Sequence, residues 1–186
     1  MKKYILCIMM AVVAMSSCAD NSKKQQAEAE SEAEPTVAAT ADVETSAVEA
    51  DGTLAPDFTL NDLNGKPLTL SSLRGKYVIL DFWGSWCGWC IKGIPQMKEY
   101  YQKYAGKFEI LGIDCNDPEE KWKAAVEKYE LPWLHVYIPR DDSKVLEQYE
   151  IQGFPTKIIV GPDGKIVKTI IGEDPAFYTF LDELFQ

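Results

Sequence analysis

Seven consecutive residues, Tyr77-Val78-Ile79-Leu80-Asp81-Phe82-Trp83, form an almost unbroken apolar run with a single carboxylate in it. Such a run suits a strand covered on both faces, since a strand with one wet face would alternate polar and apolar. Four residues later Cys87-Gly88-Trp89-Cys90 opens a stretch in which Ile94, Met97, Tyr101 and Tyr104 recur three and four apart. That spacing is the buried stripe of an amphipathic helix. A buried strand running straight into a helix restricts the chain to a layered α/β domain, with two thiols at the junction.

The rest of the chain fits that frame. Asp57–Leu60 and Pro67–Leu70 flank Asn64-Gly65, a hairpin signal. Phe108–Ile113 reads as a second buried strand. Asp117-Pro118-Glu119-Glu120 reads as an N-cap, a proline at the first helical position and two acids in the first turn. Trp122, Ala125, Val126 and Tyr129 are the apolar face of the helix that follows. Leu134–Ile138 is a strand and Ser143–Tyr149 a short helix. Thr156–Val160 and Lys165–Ile171 pair through Pro162-Asp163-Gly164. A closing helix from Asp174-Pro175 turns Phe177, Phe180, Leu181 and Leu184 inward. The predicted order is β-β-β-α-β-α-β-α-β-β-α, a mixed central sheet with helices on both faces and an N-terminal β-hairpin.

The first residues are targeting, not fold. Lys2 and Lys3 precede the apolar run Tyr4–Met15, which is shorter than the roughly 20 residues a membrane-spanning helix needs. Met15-Ser16-Ser17-Cys18 resembles a bacterial lipobox, which implies cleavage after residue 17 and lipid on Cys18. Between Ala19 and Gly52 nine acidic residues face only Lys23 and Lys24, and no aromatic residue occurs. Such a segment cannot bury enough to offset its ordering entropy. The organisation read from the sequence is therefore a signal peptide over 1–17, a lipidated cysteine with a disordered acidic tether over 18–53, and a folded domain over 54–186. An acidic chain, −10 overall, gives nucleic acid no basic face to bind. The expected location is extracytoplasmic, facing the periplasm and anchored to the membrane through Cys18.

Export brings the domain to a compartment where disulfides persist. Loss of Cys7 and lipidation of Cys18 leave Cys87, Cys90 and Cys115, too few for a disulfide-stapled scaffold. Cys87 is expected at a helix N-terminus, where free N–H groups and the macrodipole favour a thiolate. Cys90 is one turn further on, within bonding reach and expected to be the more buried. It would displace a client from Cys87.

The run Asp81-Phe82-Trp83-Gly84-Ser85-Trp86-Cys87-Gly88-Trp89-Cys90 resembles the thioredoxin active-site sequence, with Trp89 where proline is usual. Pro95 matches the kink proline of the family's helix, and Gly153-Phe154-Pro155-Thr156 matches the loop whose proline is cis. About 35 residues separate Asp117 from Gly153, where a minimal thioredoxin has about a dozen. This central insertion, the opening Ala55-Pro56-Asp57-Phe58 and Leu73-Arg74-Gly75-Lys76 resemble the membrane-tethered TlpA/ResA-like branch. One departure is Gly93, since ResA-like members often carry Glu there. The resemblance implies a thioredoxin-like fold and a thiol-disulfide oxidoreductase that reduces protein disulfides. Its clients would be disulfide-bearing proteins, apocytochromes c among them, and a membrane dithiol donor of the CcdA/DsbD type would recharge it.

On the same resemblance Asp81 is the buried carboxylate that exchanges a proton with Cys90, although Glu109–Ile113 offers no lysine to partner it. Trp86, Gly88, Trp89, Phe154, Pro155 and Thr156 are expected to receive the client, Trp86 and Trp89 as an apolar rim and Phe154 through its backbone. Trp83 is read as packing, Cys115 as a small buried residue that could also reach the rim, and His135 as a core or edge histidine. No metal or organic cofactor is implied beyond the redox-active Cys87–Cys90 pair, because a zinc site would have only Cys115 and His135 to add. A peroxidase of the peroxiredoxin type would require Pro and Thr at Leu80 and Gly84. A copper carrier resembling the Sco proteins would require three residues between the cysteines.

Overall fold

The computed structural model describes residues 48–49 and 52–186; the signal-like segment, Cys18 and all of the tether but its last few residues lie outside the described residues. In chain order the elements are β1 (Val48–Glu49), β2 (Thr59–Asp62), β3 (Pro67–Thr69), β4 (Tyr77–Trp83), α1 (Gly88–Lys103), β5 (Phe108–Cys115), α2 (Glu119–Lys128), β6 (Leu134–Ile138), α3 (Lys144–Gln148), β7 (Thr156–Val160), β8 (Ile166–Ile171) and α4 (Pro175–Phe185). One mixed sheet joins the strands in the order β1-β8-β7-β4-β5-β6-β2-β3. The apolar run thus lies near the middle, parallel to β5 on one side and antiparallel to β7 on the other.

Alternation along β4 divides its residues between two cores. Ile79 and Trp83 join the buried residues of α1, α2 and α4. Val78, Leu80 and Phe82 pack on the other face with Phe58, Leu60 and the α3 residue Val145. The crossovers β4-α1-β5 and β5-α2-β6 advance in the same direction, so the right-handed rule lays both helices on one face. The chain then returns past α3 on the other face to reach β7. Helices therefore cover both faces, as expected.

Two features position the site. The segment α2–β6 extends the sheet, and β2 continues it by pairing with β6 through Asn61↔Tyr137 and Asp62↔Val136, which leaves β3 at the edge. The β8–α4 turn leads into a helix that begins at Pro175, within the start expected at Asp174-Pro175, and Asp174 caps it, its Oδ1 accepting the Ala176 N–H at 2.8 Å. The start of α2 differs from expectation. Pro118 holds the capping position with no side-chain cap, and the helix begins at Glu119. Asp117 does not cap it because its carboxylate is engaged elsewhere.

Candidate active site

β4 delivers the chain to the rim of the sheet, and a tight connection then turns it into α1. Position 84 must be glycine, since a Cβ there would overlap the Trp86 indole and lie 2.9 Å from the Cys115 carbonyl oxygen. That also leaves no room for the threonine a peroxiredoxin site needs. The Gly84 carbonyl accepts the Cys87 N–H at 3.0 Å. Asp117 holds the same turn from below, accepting the Ser85 N–H at 2.6 Å and its hydroxyl at 2.8 Å. Asp117 thus supports the active-site turn. Its local sequence, an acid before Pro-Glu-Glu, signals only a cap, and nothing in it points to Ser85.

Cys87 is the N-cap of α1, extended at φ −87° and ψ 100°, and its sulfur accepts the Cys90 N–H at 3.1 Å. The Cys90 amide and the positive end of the macrodipole therefore both act on this sulfur. Cys87 and Cys90 are joined in a disulfide, with Cα atoms 5.3 Å apart. The expectation that Cys90 is the more buried is not met, for Cys87 is 6% exposed and Cys90 7%. Bonded to each other, the two residues share one enclosure. They differ in what they face. Cys90 lines a small cavity together with Asp81, Gly93, Pro155, Lys157 and Glu173, with room for about one water.

Around the pair lies an apolar rim. Trp86 and Trp89 are 51% and 61% exposed. Trp86 is fixed, donating Nε1–H to the Cys115 carbonyl at 2.9 Å and meeting Phe154 edge-on with centroids 5.1 Å apart. Trp89 carries Lys92 Nζ 4.7 Å from its ring centroid. The Phe154–Pro155 peptide is cis. Gly88 is open, with nothing near the space a Cβ would take. Thr156 stands behind the rim, buried, its hydroxyl donating to the Gly153 carbonyl at 2.7 Å.

Asp81 points to the same face as Trp83, toward the cavity. Its Oδ1 is enclosed without a hydrogen-bond partner, while the residue keeps some exposure. Burial pushes its pKa up above all; the Lys157 ammonium opposes that rise and the Glu173 carboxylate adds to it. The lysine sought in Glu109–Ile113 comes from the other neighbouring strand. β5 places Gly112 opposite Asp81, whereas β7 places Lys157 there. Lys157 Nζ binds Glu173 Oε2 at 2.8 Å, and the Tyr178 hydroxyl donates to Glu173 Oε1 at 2.9 Å. Lys157 and Glu173 are the residues the sequence reading missed. A lone lysine in the buried strand Thr156–Val160 was the available signal.

The remaining candidates fall away from the thiols. Cys115 points to the opposite core, its thiol donating to the Ile113 carbonyl at 3.3 Å and its pKa raised by burial. His135 is buried between Trp83 and Trp133, and burial lowers its pKa to about 4. Among the described residues no group of three or more His, Cys, Asp or Glu is placed to hold a metal ion.

The AhpC/TSA family model matches residues 52–169. The thiol-disulfide oxidoreductase ResA of Bacillus cereus is 41% identical over 123 residues, 66% of this chain and 70% of its own. Among solved structures, the thioredoxin domain of a thiol-disulfide oxidoreductase from Bacteroides vulgatus superposes with a TM-score of 0.67 at 37% identity, covering 74% of this chain and 99% of that one. A thiol:disulfide interchange protein from Bacteroides sp. gives 0.65 at 38% identity, covering 74% and 91%. With its thioredoxin-like fold and its cysteine pair at a helix N-terminus, the chain belongs to the AhpC/TSA family and, within it, to the ResA-like thiol-disulfide oxidoreductases.

Proposed function

We propose that this chain reduces protein disulfides outside the cytoplasm, with Cys87 as the attacking sulfur and Cys90 as the resolving one. The observation that carries this assignment of roles is an asymmetry. The Cys87 sulfur sits at the amide end of α1, where a negative charge is stabilised. Cys90 faces the cavity that holds Asp81, where a proton can be received.

The reaction follows from these positions. The Cys87 thiolate attacks one sulfur of a client disulfide, forming a mixed disulfide and releasing the client's other sulfur as a thiolate. Cys90 gives its proton to Asp81 and attacks Cys87. That step closes the Cys87–Cys90 disulfide and frees the client's second sulfur, so the client gains the two electrons the protein loses. Trp86, Trp89 and Phe154 form the apolar rim on which an extended client docks, with Gly88, Pro155 and Thr156 shaping the backbone beneath. The disulfide is the only redox centre the reaction requires, and a membrane dithiol donor of the CcdA/DsbD type returns it to the dithiol. Apocytochromes c fit the client class. The lipobox-like Met15-Ser16-Ser17-Cys18 supports an anchored lipoprotein facing the periplasm.

Replacing the resolving sulfur tests the assignment. Cys90→Ser is expected to accumulate clients on Cys87 as dithiothreitol-sensitive adducts, while Cys87→Ala captures none and loses disulfide reduction. Full activity in Cys87→Ala would overturn it. The direction of electron flow is read from the potential of the couple. A value close to that of thioredoxin, about −270 mV, supports a reductase, and one near that of DsbA, about −120 mV, supports an oxidant.

A further inference from the structure

α1 carries no side chain at position 93, where it passes the cavity, and a Cβ built there would overlap the Glu173 carboxylate. Glu173 reaches this space from the turn between β8 and α4. One oxygen is held by Lys157 and the other by Tyr178. The Lys157 and Glu173 side chains are only 4% and 13% exposed. A pair this enclosed is a weak source of stability, because desolvation offsets most of the attraction. Lys157 also stands directly opposite Asp81 in the β4–β7 ladder. One cation therefore serves two carboxylates, and all three groups line the cavity onto which Cys90 opens.

We propose that Lys157 and Glu173 are positioning residues for the resolving step: Glu173, admitted by the absence of a side chain at Gly93, divides the Lys157 charge with Asp81 and so sets the pH at which Asp81 takes the Cys90 proton. The proposal rests on Cys90 being the resolving sulfur. The titratable groups around Asp81 are Cys90 of α1, Lys157 of β7, Glu173, Tyr178 of α4, Cys115 of β5 and, across Gly112, His135 of β6. His135 is neutral above about pH 4. Burial keeps Tyr178 and Cys115 protonated at neutral pH. Lys157 and Glu173 are thus the charges that bear on Asp81. In the step they control, the proton moves from the Cys90 sulfur to Asp81, and the freed pair of electrons forms the Cys90–Cys87 bond as the bond between Cys87 and the client breaks.

The two charges act in opposite senses, and that makes the proposal testable. Reduced protein mixed with excess dithiobis(nitrobenzoate) releases one thionitrobenzoate when Cys87 attacks and a second when Cys90 resolves. The rate of the second phase is followed against pH. Glu173→Gln leaves Lys157 to Asp81 alone, so the carboxylate persists to lower pH and the midpoint falls by about one unit. Lys157→Met removes the cation, and the midpoint rises by a similar amount. Asp81→Asn abolishes that inflection. Glu173→Ala lowers the midpoint as Glu173→Gln does, and adding Gly93→Glu to Glu173→Ala returns a carboxylate to the same space and restores the parent midpoint. Loss of the first phase in the parent protein would sink the assignment of Cys87 itself. An intact first phase with unmoved midpoints in both Glu173→Gln and Lys157→Met overturns this inference alone, as does a midpoint that moves the same way in both.

Discussion

Asp114, one residue before the end of β5, has no exposure at all and lies on the face that carries Trp83 and Tyr137 in register. Burial first, and the charge of Asp117 next, push its pKa up to about 8. Its ordinary value is 3.8, so between pH 4 and 8 the unfolded chain releases this proton and the folded one keeps it. The stability the group contributes is complete below about pH 4 and lost as pH rises through 8. Asp114→Asn, which cannot ionise, is therefore expected to gain on the parent as pH rises, with the gap in urea unfolding wider at pH 8.5 than at pH 5 by about 2–4 kcal/mol. An equal gap at the two pH values would show that Asp114 is not protonated in the fold. Residues of this kind separate what the sequence reveals from what it hides. Cys87, Cys90, Trp86 and Pro155 are legible because each belongs to a short local motif. Lys157 acquires its role only through cross-strand register, and Glu173 through a turn that reaches the inner side of a helix 80 residues earlier in the chain.

Helix α1 gives that contrast a sign. A glycine in an exposed helix interior costs about 1 kcal/mol relative to alanine, so Gly→Ala ordinarily stabilises. At position 93 the added methyl would overlap the Glu173 carboxylate and disturb a buried ion pair. Gly93→Ala is expected to destabilise instead, by about 1–3 kcal/mol, measured by thermal or urea unfolding. In a Glu173→Ala background the same change should recover its ordinary favourable sign. Destabilisation that persists there would place the clash elsewhere. Most elements were readable because periodicity and end signals agree: Met97 is buried on α1, Trp122, Ala125 and Val126 on α2, and α4 opens at Asp174-Pro175. β1 was not, because Val48–Glu49 has no pattern of its own and is a strand only through its pairing with β8. The true start of α2 was hidden too, because the local chain makes Asp117 a cap and only the fold brings Ser85 to its carboxylate.

At the scale of the molecule, the sheet's faces carry separate tasks. One core, with α3 and the N-terminal hairpin, holds Cys115 and none of Cys87, Cys90 and Asp81, the groups to which the proposed reaction assigns chemistry. The other, beneath α1, α2 and α4, holds the cysteines, Asp81 and the ion pair. The described residues 52–186 thus contain every group the proposed reaction uses, and none of its steps calls on the chain before them. Membrane attachment through Cys18 would then be separable from chemistry. Cys18→Ser is expected to move the protein from the membrane to the soluble fraction and to end incorporation of labelled palmitate. The purified protein should reduce a small disulfide at the parent rate, because the amide end of α1 and the Asp81 cavity are built without that segment. Retention in the membrane fraction would refute anchoring through Cys18. A slowed reaction in the purified Cys18→Ser protein would mean that the segment before residue 52 takes part in the chemistry, and the division between anchor and catalytic domain would fail.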